Sequence, residues 1–157
     1  MARETGRAVA RAGLRLVYGG AQSGLMGEAA RAALAEGGTV LGVIPEFLIP
    51  VEGAQDGVEL RITATLASRK AMMTAEADAF LILPGGAGTL EEVFDMIVQR
   101  QHGLHMKPAA FVGGEFWAPL EVLLSQVAKS GFADAGLLNA LSFHADPAAA
   151  LAELNPQ

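Results

Sequence analysis

The chain has 157 residues, a length that favours a single domain with a sizeable hydrophobic core. Its formal net charge of −6 argues against a general nucleic-acid binder, and its lack of cysteine excludes disulfides, thiol chemistry and cysteine-ligated zinc. No apolar run reaches the roughly 20 residues that span a bilayer, and the N-terminus lacks the apolar core of a signal peptide, so we expect a cytoplasmic protein without membrane partners.

Predicted strands and helices alternate along the chain. Short apolar runs predict strands at residues 14–18, 39–44, 60–65, 80–83, 108–112 and 141–143. Helical spacing and composition predict helices at residues 4–12, 28–36, 67–77, 117–129 and 147–154, with one more that follows the glycines of residues 85–88 and holds Glu92 one turn inside. Residues 46–57 are predicted to form a long loop, a kind of segment that often acts as a lid. The alternation is typical of an α/β, Rossmann-like three-layer fold with a mostly parallel sheet.

The two ends of the chain give further expectations. A Rossmann-like domain normally opens with a strand, whereas this chain opens with a predicted helix, so the first strand is expected to be missing. At the other end, Asp146 is predicted to be the N-cap of the last helix and Pro147 its first residue. Because we find no repeat, low-complexity segment or linker, residues 1–157 are predicted to form one nucleotide-binding domain.

Two glycine-rich turns stand out as candidate binding loops. Residues 84–92 join the strand at 80–83 to a helix, and their glycines leave backbone N–H groups uncovered, which suits a phosphate. Glycine also serves simply to turn the chain, which is the competing interpretation. A second glycine-rich turn at residues 19–27 makes that interpretation less convincing. Both turns are expected at the carboxyl ends of strands, where ligands bind in parallel sheets.

Glu92 follows the later turn and is the first candidate for chemistry. At 100° per residue it shares a helix face with Met96 and Gln99, with Asp95 beside it. The opposite face is predicted to pack in the core and comprises Val93, Phe94, Ile97 and Val98. Glu92 is therefore predicted to face solvent or a cleft, either as a site residue or as an ordinary glutamate that complements the helix dipole.

Arg69 and Lys70 fall near the start of the helix at 67–77, where cations oppose the helix dipole. An anionic ligand or Glu92 would explain them, and a solvated surface pair is the alternative.

The remaining polar candidates carry weaker signals. His102 and His105 adjoin Gly103 near a helix end, so metal ligation is not expected, and His144 is expected at the surface. The serines at 23 and 68 have no base beside them in the sequence, so no Ser-His-Asp arrangement is indicated.

Taken together, the motifs resemble a known family. Arg69-Lys70-x-x-Met73, followed by Pro-Gly-Gly-x-Gly-Thr-x-x-Glu at residues 84–92, resembles the LONELY GUY family of cytokinin riboside 5′-monophosphate phosphoribohydrolases, long mislabelled as lysine decarboxylases. The glycines at 19–20 and 24–27 resemble its first glycine loop, and the resemblance spans about residues 11–154. It implies hydrolysis of the N-glycosidic bond of AMP or an N6-substituted AMP to free base and ribose 5-phosphate. It also implies a homodimer with active sites near the subunit interface, without metal or cofactor.

Carried over position by position, the resemblance implies a catalytic pair at Arg69 and Glu92. It implies substrate binding by Lys70, Gly85, Gly86, Gly88, Thr89, Gly20, Gly24 and Met26. These roles suit the chemistry, because cleavage of the ribosyl C1′–N9 bond passes through an oxocarbenium-like state that a carboxylate stabilises. Arginine stays protonated, so it can orient ligand oxygens or the carboxylate but is a poor general acid.

Some positions depart from the family pattern. Ala87 stands where many relatives carry an aromatic residue, and Ser68 where many carry an acid, which leaves the base preference open. The alternative function is a non-catalytic nucleotide-binding or carrier module of the same fold, which would use the loops without Glu92 or Arg69. The older decarboxylase description lacks support, since no lysine lies in a recognisable cofactor-binding context.

Overall fold

The computed structural model of the protein describes residues 1–154, except for the side chains of residues 135 and 137. The chain divides into two compact units. We refer to Met1–Ala77 as the N-terminal unit and to the part from Asp78 onward as the C-terminal unit. None of the helices within residues 1–154 has the length and apolar character needed to cross a lipid bilayer.

The N-terminal unit is built on three parallel strands in the order β1-β2-β3. Its elements in chain order are α1 (Ala2–Arg11), β1 (Leu16–Tyr18), α2 (Gly24–Ala35), β2 (Val40–Pro45), α3 (Ile49–Glu52), β3 (Glu59–Thr63) and α4 (Leu66–Glu76). The central strand β2 is buried along its whole length, which explains its continuous apolar sequence. In register, Tyr18 of β1 lies opposite Gly42 of β2.

Helices α1 and α2 pack closely because small residues face each other. A Cβ built on Gly6 would lie 2.1 Å from the carbonyl oxygen of Ala29, so no larger residue fits there. Gly38, beyond α2, is similarly close to Ala10 of α1. This close contact leaves the long charged side chains of both helices along the flank of the pair.

The C-terminal unit repeats the pattern with parallel strands in the order β4-β5-β6. Its elements are β4 (Phe80–Ile82), α5 (Ala87–Gln101), β5 (Ala109–Val112), α6 (Gly114–Lys129), β6 (Leu141–His144) and α7 (Pro147–Leu154). Phe111 forms the aromatic centre of the core, stacked on Phe143 at 4.8 Å and edge-on to Trp117 at 5.0 Å. The indole Nε1 of Trp117 donates to the carbonyl of Val112 at 3.2 Å, so this buried polar atom is satisfied.

Most of the sequence predictions for the fold are confirmed. Each predicted strand is present within two residues at either end, all pairings within the two sheets are parallel, and the α/β class is confirmed. Asp146 caps α7 as predicted, since its Oδ1 accepts from the amides of Ala148 and Ala149 at 3.0 Å, and Pro147 is the first helical residue. The prediction of one domain and of a missing first strand stays a prediction.

One helix boundary is predicted wrongly. Helix α2 begins at Gly24 rather than at residue 28, whereas α5 begins at Ala87 and holds Glu92 about one turn inside, as predicted. Glycine is disfavoured inside helices. Near the start of a helix, however, it allows the tight loop that precedes the helix, and this offsets its cost. The predicted loop at 46–57 also contains structure: a 3₁₀ turn at Glu46–Leu48 and the short helix α3, in which proline occupies one of the first two positions.

The predicted core face of α5 is partly wrong. Val93 and Ile97 are buried as expected, but Met96 is buried with them at 5% exposure. Phe94 and Val98 are 41% and 47% exposed instead of forming core. Because apolar residues occur on both sides of α5, helical periodicity alone does not identify the face that packs on β4 and β5.

Candidate functional site

The first glycine loop, which we define as residues 19–27, is held by hydrogen bonds to a second segment of the N-terminal unit. The amide of Gln22 donates to the carbonyl of Gly53, and the amide of Gln55 donates to the carbonyl of Gly20, both at 3.3 Å. Gly20 and Gly53 have φ values of +80° and +68°, a region that favours glycine. The loop is therefore clamped at the carboxyl end of β1.

The start of α2 closes on the same loop. A Cβ built on Gly27 would lie 1.9 Å from the carbonyl oxygen of Gln22, so the helix and the loop are in direct backbone contact. Arg31 reinforces this contact, because its Nη1 donates to that same carbonyl at 2.8 Å and to Oε1 of Gln55 at 3.1 Å. Gly24, which opens α2 with a φ of +61°, faces open space instead.

Arg69 lies against this clamped loop. It stands on α4, whose start is fixed by a capping box in which Thr65 and Ser68 exchange hydrogen bonds of 3.0 Å. A Cβ built on Gly19 would lie 1.8 Å from Nη2 of Arg69, and that nitrogen is 4.0 Å from Sδ of Met26.

The burial of Arg69 excludes one of the two sequence interpretations. Its side chain is only 7% exposed, so the solvated surface pair is wrong for Arg69, whereas Lys70 is half-buried. Of the predicted site residues in this unit, the fold places Arg69 in contact with Met26 and against Gly19, whereas Gly20 packs on Ile44 and Gly24 faces open space. A buried guanidinium at the end of a strand offers several N–H donors in a fixed plane to an anion or a sugar oxygen.

The second glycine loop, which we define as residues 84–89, lies in the C-terminal unit and is more open. Gly86 is the N-cap of α5 without a side-chain cap, and the first turn of α5 contains no acidic residue. A Cβ on Gly86 or Gly88 would meet no atom within 4 Å, whereas one on Gly85 would lie 2.1 Å from Oγ1 of Thr89. The first amides of α5 therefore point at an unobstructed surface, the geometry that binds phosphates.

Glu92 is the sixth residue of α5 and is half-buried. It lies one turn beyond Gly88 and Thr89, so the three share one side of the helix. In the following turn Gln99 donates to Asp95 at 2.7 Å. The C-terminal unit thus places a carboxylate directly after the open amides of the second glycine loop.

Two of the histidines, His105 and His144, make hydrogen-bond contacts within the C-terminal unit. His105 is buried at 8% exposure, where it contacts the carbonyl of Met96 at 3.1 Å and accepts from the amide of Lys107 at 3.2 Å. Burial lowers the pKa of His105, which keeps its ring neutral. His144 is half-buried and contacts Oγ of Ser142 at 2.9 Å. Within residues 1–154, no group of three or more ligating side chains could hold a metal ion.

Sequence reasoning missed the segment at residues 53–55, which clamps the first glycine loop. Its contacts join residues about 30 positions apart, and the only local signal was Gly53 within a stretch read as loop. It also missed the contact of Gly19 with Arg69, which depends on the folding of α4 over the end of β1.

Comparison with known proteins identifies the family. The sequence model of the family described as "Possible lysine decarboxylase" matches residues 26–154. The chain is 47% identical over 135 residues to the cytokinin riboside 5′-monophosphate phosphoribohydrolase of Rhodococcoides fascians. The aligned region covers 84% of this chain and 68% of that protein. The chain is 45% identical over 113 residues to the corresponding Mycobacterium tuberculosis protein, covering 71% of this chain and 60% of that one. The chain thus spans about two thirds or less of these two relatives.

A solved structure supports the fold. The molybdenum cofactor carrier protein of Chlamydomonas reinhardtii superposes with a TM-score of 0.74 at 28% identity, covering 98% of this chain and 83% of that one. Fold and glycine loops together define an α/β protein of Rossmann-like type. The chain belongs to the LONELY GUY family, whose members include the two phosphoribohydrolases above, and the resemblance seen in its motifs is confirmed.

Proposed function

We propose that this protein is a phosphoribohydrolase that cleaves the N-glycosidic bond of AMP or an N6-substituted AMP, releasing the free base and ribose 5-phosphate. The observation that carries the proposal is its 47% identity to the Rhodococcoides fascians enzyme over 84% of the chain. The family match at residues 26–154 includes both the Arg69-Lys70 motif and the second glycine loop.

In this proposal the second glycine loop binds the 5′-phosphate. Gly85, Gly86, Gly88 and Thr89 supply the turn and the uncapped amides, and the positive end of the α5 dipole adds favourable charge. Phosphate binding fixes the ribose relative to the reacting groups. The substrate therefore loses its translational and rotational entropy on binding and not during the chemical step.

Glu92 is assigned the central chemical role. As the C1′–N9 bond breaks, positive charge develops on the ribose, and a carboxylate beside the sugar stabilises that charge and orients the attacking water. Its position one turn beyond Gly88 supports this role, since a ligand anchored on the first amides of α5 would extend along the side of the helix that carries Glu92.

Arg69 is assigned to binding and orientation of ligand oxygens, with Lys70 as a further cation. Burial against Gly19 and contact with Met26 keep its guanidinium in one place, so it would lose little entropy on binding a substrate. Gly20, Gly24 and Met26 are assigned to substrate binding because they belong to the first glycine loop, in which Met26 contacts Arg69 and Gly24 faces open space at the start of α2.

We further propose that the protein acts as a cytoplasmic homodimer. Leu90, Phe94 and Val98 recur every four residues on the α5 helix that carries Glu92 and are between 38% and 47% exposed. An apolar stripe of this kind suits a second copy of the chain.

The alternative, a nucleotide-binding or carrier module without catalysis, is favoured by the similarity to the molybdenum cofactor carrier protein. That similarity is weaker in sequence, at 28% identity against 47%, but covers 98% of the chain. The two functions differ in one measurable respect, since only the hydrolase releases free base.

The test is incubation with AMP and with isopentenyl-AMP, with chromatographic detection of free base. We expect wild type to release base, and Glu92→Gln and Arg69→Gln to lose about 100-fold or more in kcat. Glu91→Gln is the matched control, because Glu91 adjoins Glu92 on α5 but is exposed, and it should stay within about twofold. Nucleotide binding by wild type without release of base would favour the carrier, and turnover retained in Glu92→Gln would overturn the assigned mechanism.

A further inference from the structure

Four arginines gather on the outer flank of the α1 and α2 pair. Arg3, Arg7 and Arg11 recur every four residues on one side of α1, and Arg31 faces them from α2. Part of this flank forms a cavity of about 230 Å³, which we call the arginine groove. Its lining comprises Arg3, Arg7, Glu28, Arg31, Ala32 and Ala35.

The arginine groove forms because small residues between the two helices are flanked by long arginine side chains. Gly6 and Ala29 bring the two helix backbones close together. Ala32 and Ala35 then leave a space at the flank that no apolar side chain fills, and the guanidinium groups surround it. The result is a concave surface whose walls are hydrogen-bond donors.

The groove contains one acidic side chain, and both of its oxygens accept hydrogen bonds from arginines. Glu28 accepts from Arg3 through Oε2 and from Arg31 through Oε1, the latter at 2.6 Å. Hydrogen bonds from Arg3 and then Arg31 lower the pKa of Glu28, which keeps it ionised. Within the lining one carboxylate thus faces three guanidinium groups, and Glu36, just outside the lining, is shared by Arg7 and Arg11. Four arginines therefore stand against two glutamates, an excess of positive charge in a chain with a net charge of −6.

Arg7 is the cation with the most unused donor capacity. Among residues 1–154 its nearest carboxylate oxygen is Oε1 of Glu36, at 3.9 Å, beyond hydrogen-bond distance. Glu36 is already held by Arg11 through two hydrogen bonds of 2.9 and 3.1 Å. Like charges four residues apart also repel along a helix, so the arginine row of α1 has no benefit for helix stability.

We propose that the arginine groove binds a phosphate dianion, either as inorganic phosphate or as the phosphate end of a small ester. Arginine forks match phosphate oxygens in pairs, and a dianion would neutralise the charge excess. The volume is below the roughly 300 Å³ at which sites for larger ligands begin, which suits a phosphate with a few attached atoms but not a whole nucleotide. The arginine groove shares no residue with those assigned to substrate binding, and this proposal does not depend on the proposed function.

One wall of the arginine groove is preorganised. Arg31 is fixed by its hydrogen bonds to Gln22 and Gln55, so it needs little ordering when an anion binds. Through this residue the groove contacts the first glycine loop.

The test is calorimetric titration of the full chain with inorganic phosphate and, separately, with ribose 5-phosphate at low ionic strength. We expect Arg7→Gln to weaken phosphate binding at this site about tenfold, the effect of losing one charge-assisted pair of hydrogen bonds. The exposed Lys129→Gln on α6 removes the same charge elsewhere and should leave binding within about twofold. Glu36→Gln should strengthen binding severalfold, because it removes the carboxylate nearest to Arg7.

The variants also separate this site from the second glycine loop, which has its own proposed phosphate role. Release of base from AMP should be unchanged within about twofold in Arg7→Gln, so a loss of phosphate binding there is independent of catalysis. Tighter binding of ribose 5-phosphate with the same dependence on Arg7 would identify an ester as the ligand, and equal or weaker binding would identify the free anion. Equal phosphate affinity in Arg7→Gln, Glu36→Gln and wild type would overturn the proposal.

Discussion

The first glycine loop, in the N-terminal unit, and the second, in the C-terminal unit, both follow a short parallel strand and both lead into a helix without a side-chain cap. Their glycines nevertheless meet different surroundings. In the first loop, Cβ atoms on Gly19 and Gly27 would come within 2 Å of Arg69 and Gln22. In the second, Gly86 and Gly88 face open space.

The difference separates two physical reasons for glycine. At Gly19 and Gly27 glycine is required by packing, because other protein atoms already occupy the place of a side chain. At Gly86 and Gly88 glycine leaves the amides of a helix N-terminus accessible, which matters only when a ligand binds there. Substitutions at the first pair should therefore disturb the protein itself, whereas those at the second pair should act mainly on ligand binding.

The largest effect expected from the difference between the two loops is that of Gly19→Ala. The added methyl group would lie 1.8 Å from Nη2 of Arg69, so the guanidinium must move out of its buried position. On the proposed function we expect kcat/KM for AMP to fall about 100-fold, as for a displaced orienting group. Gly86→Ala is the matched control, with an expected loss of less than about fivefold carried by KM. Equal losses in both variants would refute the distinction.

A second pair of variants tests the free energy of unfolding rather than turnover. Gly27 is the fourth residue of α2 and Gly88 the second residue of α5, so both lie in or next to a first helical turn. Gly27→Ala would press a methyl group against the carbonyl of Gln22 and should cost about 1–3 kcal/mol. Gly88→Ala meets no atom and should stabilise by up to about 1 kcal/mol, because alanine loses less entropy in a helix.

Urea unfolding of both variants against wild type measures this pair. The expected free energies of unfolding shift in opposite directions, which a general sensitivity to mutation cannot produce. A Gly88→Ala protein that is less stable than wild type would show that the second loop is also packed, contrary to the geometry described above.

Local sequence signals were sufficient for much of the fold. Continuous apolar runs such as residues 39–44 and 108–112 predicted parallel strands, because strands covered on both faces have no polar side. The cap formed by Asp146 followed from the Asp-Pro pair alone. These features depend on neighbours in the chain, which is why the residues themselves identify them.

What the sequence did not predict depends on distant contacts. The buried state of Arg69 requires α4 to lie over the end of β1, and a charged residue in an unremarkable helix carries no sign of it. The same holds for the clamp between Gln22 and Gly53. The face of α5 was misjudged because Phe94 and Val98 are as apolar as the residues that do pack in the core. For the candidate site, the motifs proposed residues such as Arg69 and Glu92, and only the fold adds Gly19, through its contact with Arg69.

The smallest expected effect concerns the last residues of the strands that precede the two loops. Tyr18 ends β1 and is 7% exposed, and within residues 1–154 its hydroxyl is buried without a hydrogen-bond partner, whereas the apolar Ile82 ends β4. Burial raises the pKa of Tyr18 to about 12, although the charge of Arg31 opposes the shift. Because the folded-state pKa lies above the unfolded value of 10.0, the neutral hydroxyl's contribution to stability is complete below pH 10 and is lost as the pH rises toward 12.

Tyr18→Phe removes both the unsatisfied group and this titration. We expect a variant as stable as wild type or more stable by up to about 1 kcal/mol at pH 8, since no hydrogen bond is lost and a buried polar atom disappears. The advantage should grow between pH 10 and pH 12, because only wild type must keep a raised tyrosine pKa in that window. Urea unfolding of both proteins at pH 8 and pH 11 measures the difference. If the variant were less stable at pH 8 by more than about 1 kcal/mol, the hydroxyl would have to be bonded within the fold, and the strand end before the first glycine loop would be as fully satisfied as the apolar end before the second.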